Sequence, residues 1–472
     1  MREVEVAIIG AGSAGLYCMG QIKRFTSDFV LIDGGELGTT CARVGCMPSK
    51  VMIQVAEDFH RRKIFDREGI EGEEHLSINA EDTMEHIQDL RDTFVDQTLS
   101  HSIDLLEEGQ FIESNAHFLD ANTLQTEAGE TILAKRIIIA TGSRPIVPSA
   151  WSDFADKIIT SDEVFEAEEL PESIAVIGLG VIGLEIGQSL SRLGVKVTGV
   201  DQQTVISGLD DADVNKIAIE TIAREFPLWL GHAAEITLLE SGKLQVSAGD
   251  NSVEVDKVFA SLGRAPNTDK LKFESTGLAI SANGTPEFNP HTMQLGNSSI
   301  YIAGDCNGEK AILHEAGFEG RVAGYNIMQE SPTSFKLKTP LAITFSDPNI
   351  VTVGAKLSEL NENDIAIGEI RMAPVGRALI MGKNRGLIRI YAEKSSGKLL
   401  GAAMACTKGE NLGHLICWSI EMGMSVQQLL RMPFYHPTIE EAFQAALYNL
   451  KSKLEIEQTH WPIEIEPVDG QK

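Results

Sequence analysis

Two cysteines five positions apart, Cys41 and Cys46, stand in the segment GTTCARVGCMPSK that runs from Gly38 to Lys50. A close thiol pair can hold a metal or cycle between dithiol and disulfide. No histidine and no second cysteine pair lies nearby to complete a zinc set, so redox chemistry is favoured. The remaining cysteines, at 18, 306, 406 and 417, are too scattered for a structural disulfide framework in a chain of 472 residues. The apolar positions after Cys46 predict a helix, and a thiol at its start feels the positive end of the helix dipole, which lowers its pKa. In an ideal helix an i, i+5 pair is separated by about 7.5 Å of rise, beyond the usual reach of a disulfide. The turn that carries the pair must therefore be distorted. Gly45, with no Cβ to restrict its backbone, is the residue able to absorb the distortion.

The elements that lead into this segment are those of dinucleotide binding. Val4 to Ile9 reads as a buried strand, Gly10-Ala11-Gly12-Ser13-Ala14-Gly15 as a tight turn, and the residues to about Phe25 as an apolar helix; a second strand, Phe29 to Ile32, ends at Asp33. Gly10 permits the turn, Gly12 lets a pyrophosphate approach the helix N-terminus, Gly15 allows close packing, and Asp33 is placed to accept from a ribose. The same unit returns from Ser173 to Asp201, with Gly178-Leu179-Gly180-Val181-Ile182-Gly183 and with Asp201 at the offset of Asp33. Asp201 is followed by Gln202 and Gln203 with no nearby arginine, which offers a 2′-phosphate no partner and favours NAD over NADP.

Between the two units lie a polar helical stretch, roughly 80–108, and a strand-rich segment ending in the apolar run Arg136 to Ala140. Strand patterns then follow around Val253 to Ala260 and Ser299 to Ala303, with a helix near His314 to Met328. From about Leu341 the character changes: strands at Gly386 to Ala392 and Lys398 to Ala405 precede helices near Asn411 to Met422 and Ile439 to Leu450, with an extended tail after Glu457. The expected architecture is α/β, with two Rossmann-like dinucleotide-binding domains and a C-terminal α+β domain. The boundaries are 1–148, 149–268, 269–338 (returning to the first domain) and 339–472. A formal charge of −28 repels phosphate backbones and anionic lipid, so nucleic acid is excluded as a partner. No apolar run has the length of a membrane span. Val4 to Gly20 is broken by four glycines and lacks a basic leader, so a cytoplasmic location is expected.

The segment Gly38 to Lys50 resembles the GGTCxxxGCxPSK pattern of the pyridine nucleotide-disulfide oxidoreductase family, within it most closely that of the dihydrolipoamide dehydrogenases. Ala140-Thr141-Gly142-Ser143-Arg144-Pro145, Gly263-Arg264-Ala265-Pro266-Asn267-Thr268, Ile302-Ala303-Gly304-Asp305 and His436-Pro437-Thr438 with Glu441 follow in family order. The resemblance implies FAD on the first fingerprint, with Thr40, Lys50, Ala116, Thr141, Gly142, Gly304 and Asp305, and NAD on the second, with Gly263. It implies that Cys46 faces the flavin, that Cys41 exchanges with substrate, and that Lys50 and Glu185 pair beside the flavin. It also implies a homodimer whose C-terminal domain, the dimerisation domain, presents His436 to the partner's disulfide. Thiol exchange needs an acid-base group at the interchange sulfur, a task suited to histidine as a residue type, and His436, oriented by Glu441, is the candidate. The implied reaction oxidises dihydrolipoamide, free or on a lipoylated protein domain, and reduces NAD.

The chain departs from that pattern at Arg43, where asparagine is usual, and at Phe434 and Tyr435, where a His-Ala pair is common. A cation at Arg43 stabilises a thiolate, binds a substrate carboxylate, or points into solvent. Two alternatives to lipoamide follow: a reductase of another small disulfide, in the manner of glutathione reductase, and a non-enzymatic redox-sensing flavoprotein subunit. Pro48-Ser49-Lys50 and the lack of arginines after Asp201 argue against glutathione, and no cysteine follows Cys417 to form a second redox pair.

Overall fold

The computed structural model describes residues 1–281, 284–455, 462–465 and 468. Its first sheet has a parallel core in the order Phe111–Glu113, Phe29–Asp33, Arg2–Ile9, Thr131–Ile139. Thr131–Ile139 is long enough to serve two neighbours. Its first half pairs antiparallel with Thr123–Thr126, which continues to Ala116–Phe118, and its second half pairs in parallel with Ile300–Ile302, from far along the chain. Val6, Ala7, Ile8 and Ile9 are all buried, as expected for a parallel strand covered on both faces. Helices Ser13–Ile22 and Leu313–Asn326 pack against each other over this sheet.

The second sheet is wholly parallel, in the order Leu228–Leu230, Lys196–Asp201, Ser173–Ile177, Lys257–Ala260, Ile158–Ile159. An antiparallel layer, Glu235–Leu238, Leu244–Ala248 and Asn251–Val255, shares a core with it through Val200, Leu244, Val246 and Val258. The expected strand around 253–260 is thus two strands in two sheets. Asp256 makes the break, because its carboxylate accepts from the Ser173 N–H (2.9 Å) and hydroxyl (2.6 Å) and so pins the turn between them. A two-stranded ribbon of Ser143–Pro145 and Arg264–Pro266 links the two nucleotide-binding units.

The C-terminal part is an antiparallel sheet in the order Leu341–Thr344, Asn349–Gly354, Leu399–Cys406, Leu387–Glu393, Ile365–Arg371. Helices Gly409–Glu421 and Glu440–Lys451 share its core through Leu412, Ile416, Phe443, Leu447 and Leu450, each fully buried and each contributing about 1.5–3 kcal/mol of apolar burial. The architecture is therefore the expected α/β class with an α+β C-terminal part.

Two local boundaries differ from the sequence pattern. The helix expected over 80–108 ends at Ser100, where His101 Nδ1 and the Ser102 hydroxyl take the Gln97 and Thr98 carbonyls and close the last turn; a 3₁₀ turn, Ile103–Leu105, follows. The tail after Glu457 lies largely outside the described residues. Among the described residues, no helix is long and apolar enough to cross a membrane.

Candidate redox site

The two cysteines sit on two helices rather than on one distorted turn. Cys41 lies in Thr39–Val44, Cys46 is the first residue of Cys46–His60, and Gly45 separates them. A Cβ on Gly45 would fall 2.8 Å from the Thr40 carbonyl oxygen and 3.3 Å from Cys41 Cα. The chain can therefore fold back this tightly because the residue is glycine. Cys41 is half-buried and Cys46 exposed. The neighbouring Cys41 thiol, together with the Lys50 ammonium, brings Cys46 down to about 7, while the Cys46 neighbour and burial push the Cys41 thiol up. The charge of Lys50 therefore favours a thiolate at Cys46. Thr39, just before the pair, has φ +68, uncommon for a β-branched residue, and its hydroxyl accepts from the Ala42 N–H (3.3 Å).

Lys50, one helical turn beyond Cys46, places Nζ 2.7 Å from Glu185 Oε2. Glu185 lies on Val181–Arg192, the helix opened by the second fingerprint, and is 4% exposed. Its other oxygen accepts from the Phe345 N–H at 2.8 Å. Arg43 forms an ion pair with Glu36 and donates to the Glu36 carbonyl.

The two glycine turns repeat one steric plan. Gly10 (φ +108) and Gly178 (φ +96) press on the Ala140 and Ser261 carbonyls, where a Cβ would come within 2.2 and 2.3 Å. At Gly12 and Gly180, which cap the two helices, a Cβ would meet nothing within 4 Å. Each helix N-terminus therefore opens onto free space, the shape and polarity that suit a pyrophosphate. Ser13, Ala14, Gly15, Val181, Ile182 and Gly183 form the first turns of these helices. Asp33 accepts from the Ala11 (2.5 Å) and Gly35 (2.8 Å) N–H groups, and Asp201 accepts from the Leu179 (2.7 Å) and Gln203 (2.8 Å) N–H groups, so both acids end their strands beside the turns.

Asp305 begins a short 3₁₀ turn and accepts from the Ser143 hydroxyl at 2.7 Å; Arg264 donates to that hydroxyl at 2.8 Å. Gly304, before it, lies against Ala14 of the first fingerprint. Thr141 and Gly142 are locked to Asn267 through the Thr141 hydroxyl (2.7 Å) and the Gly142 carbonyl (3.0 Å), and Gly263 accepts from the Ile146 N–H. Thr40 is exposed beside Cys41, whereas the Ala116 side chain packs into the core with Phe118, leaving its backbone as its polar edge. The chain therefore gathers the dithiol, Lys50 and Glu185 at one place, and Asp305, Ser143 and the first fingerprint at another.

His436 stands apart from the dithiol. It is 80% exposed, with Nδ1 held at 2.9 Å by Glu441, whose second oxygen accepts from the Thr438 N–H. The imidazole and that N–H hold the Glu441 carboxyl below its ordinary range. Tyr435 beside it is 82% exposed, while Phe434 packs on Phe443. Sequence reasoning missed Phe345, a lone aromatic in a connecting loop. It also missed Glu319, whose Oε2 accepts from the Gly304 N–H (2.7 Å) and from Asn307 (2.8 Å) and so latches the turn that presents Asp305. An acid among the small residues of Leu313–Asn326 was its one signal.

Known proteins resemble this chain along most of its length. A mercuric reductase from Acidithiobacillus ferrooxidans is 28% identical, over 94% of this chain and 82% of its own length. Dihydrolipoyl dehydrogenase 3 from Haloarcula marismortui is 29% identical, over 95% of this chain and 97% of its own. The fold matches LpdA from Mycobacterium tuberculosis with TM-score 0.82 at 21% identity, covering 95% of this chain and all of that one. It equally matches the Cu(II) complex of the HOCl-induced flavoprotein disulfide reductase RclA from Escherichia coli, with TM-score 0.82 at 21% identity, covering 96% and 99%. The dimerisation-domain profile of the pyridine nucleotide-disulphide oxidoreductases fits residues 341–447. Their main profile fits residues 4–324, more than half of the chain, and the protein therefore belongs to the pyridine nucleotide-disulphide oxidoreductase family.

Proposed function

We propose that this FAD-dependent oxidoreductase oxidises dihydrolipoamide, free or carried on a protein domain, through Cys41 and Cys46 and passes the electrons to NAD. The observation that carries the reading is the thiol pair folded over Gly45, one helical turn before the Lys50 that pairs with Glu185. Gly12, Asp33 and Asp305 are the residues that would hold FAD, which when bound would supply two-electron chemistry between a dithiol and a nicotinamide. Starting from the Cys41–Cys46 disulfide, a substrate thiolate attacks Cys41 and Cys46 leaves as thiolate. The second substrate thiolate then displaces Cys41, which takes a proton; the substrate leaves as its disulfide, and two electrons remain on the pair. His436 accepts the proton of each attacking thiol and returns one to Cys41, with Glu441 fixing its ring and stabilising its cation.

The exposure of His436 and the dimerisation-domain match support a homodimer in which His436 serves the disulfide of the other copy. Asp201 supports NAD. Both its oxygens accept main-chain N–H groups, and among the described residues it forms no ion pair, so a 2′-phosphate would meet a carboxylate without a cation. The dihydrolipoyl dehydrogenases among the relatives support the lipoamide assignment. The test is steady-state NAD reduction by dihydrolipoamide, with NADP as cofactor control and glutathione disulfide or Hg(II) with NADPH as substrate controls. Fast NAD reduction supports the reading; turnover confined to the control substrates overturns it.

A further inference from the structure

Phe345 lies on no nucleotide-binding motif, yet it touches both partners of the Lys50–Glu185 pair. Its ring lies under the ammonium, with Nζ 4.5 Å from the ring centroid, and its N–H donates to Glu185 Oε1 at 2.8 Å while Lys50 occupies Oε2 at 2.7 Å. We propose that Phe345 is a positioning residue of the redox reaction: its ring and N–H together fix the Lys50 ammonium beside the dithiol. The ammonium is then held on three sides, by a carboxylate, by the negative face of an aromatic ring, and by the helix it grows from.

The backbone of Phe345 is itself held from the second nucleotide-binding unit. The Ser207 hydroxyl pairs with that of Thr344. Gln188 donates to the Asp347 carbonyl (2.9 Å) and accepts from its N–H (2.8 Å), and Arg192 reaches the Asp347 carboxylate at 3.1 Å. Glu185, Gln188 and Arg192 follow at helical spacing along one face of Val181–Arg192, so a single helix grips residues 345 to 347. Lys50 comes from the dithiol helix, Glu185 from the helix of the second fingerprint, and Phe345 from the C-terminal part. The charge beside Cys46 is therefore set where three parts of the chain meet, and Lys50 and Glu185 act on that thiol with opposite sign. Without the ring, the four-carbon stem of Lys50 has rotamers that swing Nζ away from the thiol while Glu185 stays in place.

This inference rests on the reading of Cys46 as the working thiol, and the experiment separates the two. The reduced holoenzyme is alkylated with iodoacetamide from about pH 5.5 to 9.5, and labelling of Cys46 is followed by peptide mass. Wild type should show a midpoint near 7. Phe345→Leu keeps the N–H and removes the ring face; it should raise the midpoint by roughly 0.3–1 pH unit, a two- to tenfold fall in the thiolate-to-thiol ratio. Phe345→Tyr should restore it. In a Lys50→Gln background Phe345→Leu should add no shift, since the ring acts through the ammonium. Phe345→Met is read in the same way if the leucine variant loses FAD or fold. A wild-type midpoint in Phe345→Leu, or an equal shift that persists with Lys50→Gln, overturns the inference alone. A wild-type Cys46 that stays inert across the range overturns the dithiol reading and the inference with it.

Discussion

Gly180→Ala should weaken nicotinamide-nucleotide binding while leaving the fold intact, whereas Gly178→Ala, two residues earlier, should do the reverse. At Gly180 the backbone is extended (φ −70, ψ −167), which alanine adopts freely, and a Cβ would meet nothing within 4 Å. The chain itself therefore loses nothing, and the reduced freedom of the unfolded state favours alanine by about 0.4–1 kcal/mol. The added methyl projects into the space where a pyrophosphate approaches the helix. Overpacking of that kind costs about 1–3 kcal/mol, or roughly a 5- to 150-fold rise in Kd for NADH. At Gly178, φ is +96 and a Cβ would sit 2.3 Å from the Ser261 carbonyl oxygen. Backbone strain there costs about 1–3 kcal/mol before the clash is counted. The assay is NADH affinity by titration calorimetry together with Tm and FAD content for both variants. Undiminished NADH affinity in Gly180→Ala, or equal loss of Tm in both variants, would refute the assignment of this loop as the nucleotide cradle.

Gly45→Ala should lower Tm, by about 1–3 kcal/mol of overpacking against the Thr40 carbonyl, and should slow oxidation of Cys41 and Cys46 to a disulfide, read by thiol titration with time. Wild-type oxidation kinetics would show that the fold-back over Gly45 does not set the pairing. Burial pushes the Glu319 carboxyl up from 4.5 to about 7. A group raised in this way contributes stability that is complete below about 4.5 and lost as pH rises through about 7, on the order of 3 kcal/mol in all. Glu319→Gln, which keeps the acceptor for Gly304 and Asn307, should therefore gain Tm over wild type at pH 8.5 and much less at pH 5. A pH-independent difference would remove the titration of Glu319 from the account.

The glycine turns were legible because each residue type has a steric duty that spacing alone reveals: Gly10 and Gly178 at positive φ, Asp33 and Asp201 at the ends of the following strands. The dithiol was legible in identity, and Gly45 as its pivot, but not as a break between two helices, since periodicity cannot show where the Cys41 backbone packs on its neighbour. Lys50 and Glu185 were paired only through the family resemblance, because nothing local in either segment records that helices starting 135 positions apart are brought face to face. The partner that Arg43 takes in the structure, Glu36, is seven positions away and was not signalled by the sequence pattern. Phe345 and Glu319 act through distant main-chain N–H groups, which a local sequence pattern does not record.

The most direct test of the central claim is differential alkylation of the six cysteines in the oxidised holoenzyme and after one equivalent of NADH, mapped by mass spectrometry. Cys18, Cys306, Cys406 and Cys417 are buried, while Cys41 and Cys46 are reachable. The account predicts that Cys41 and Cys46 are protected as a disulfide before reduction and labelled after it, with the other four silent throughout. Labelling of Cys41 and Cys46 that NADH leaves unchanged, or NADH-dependent labelling elsewhere, would contradict it.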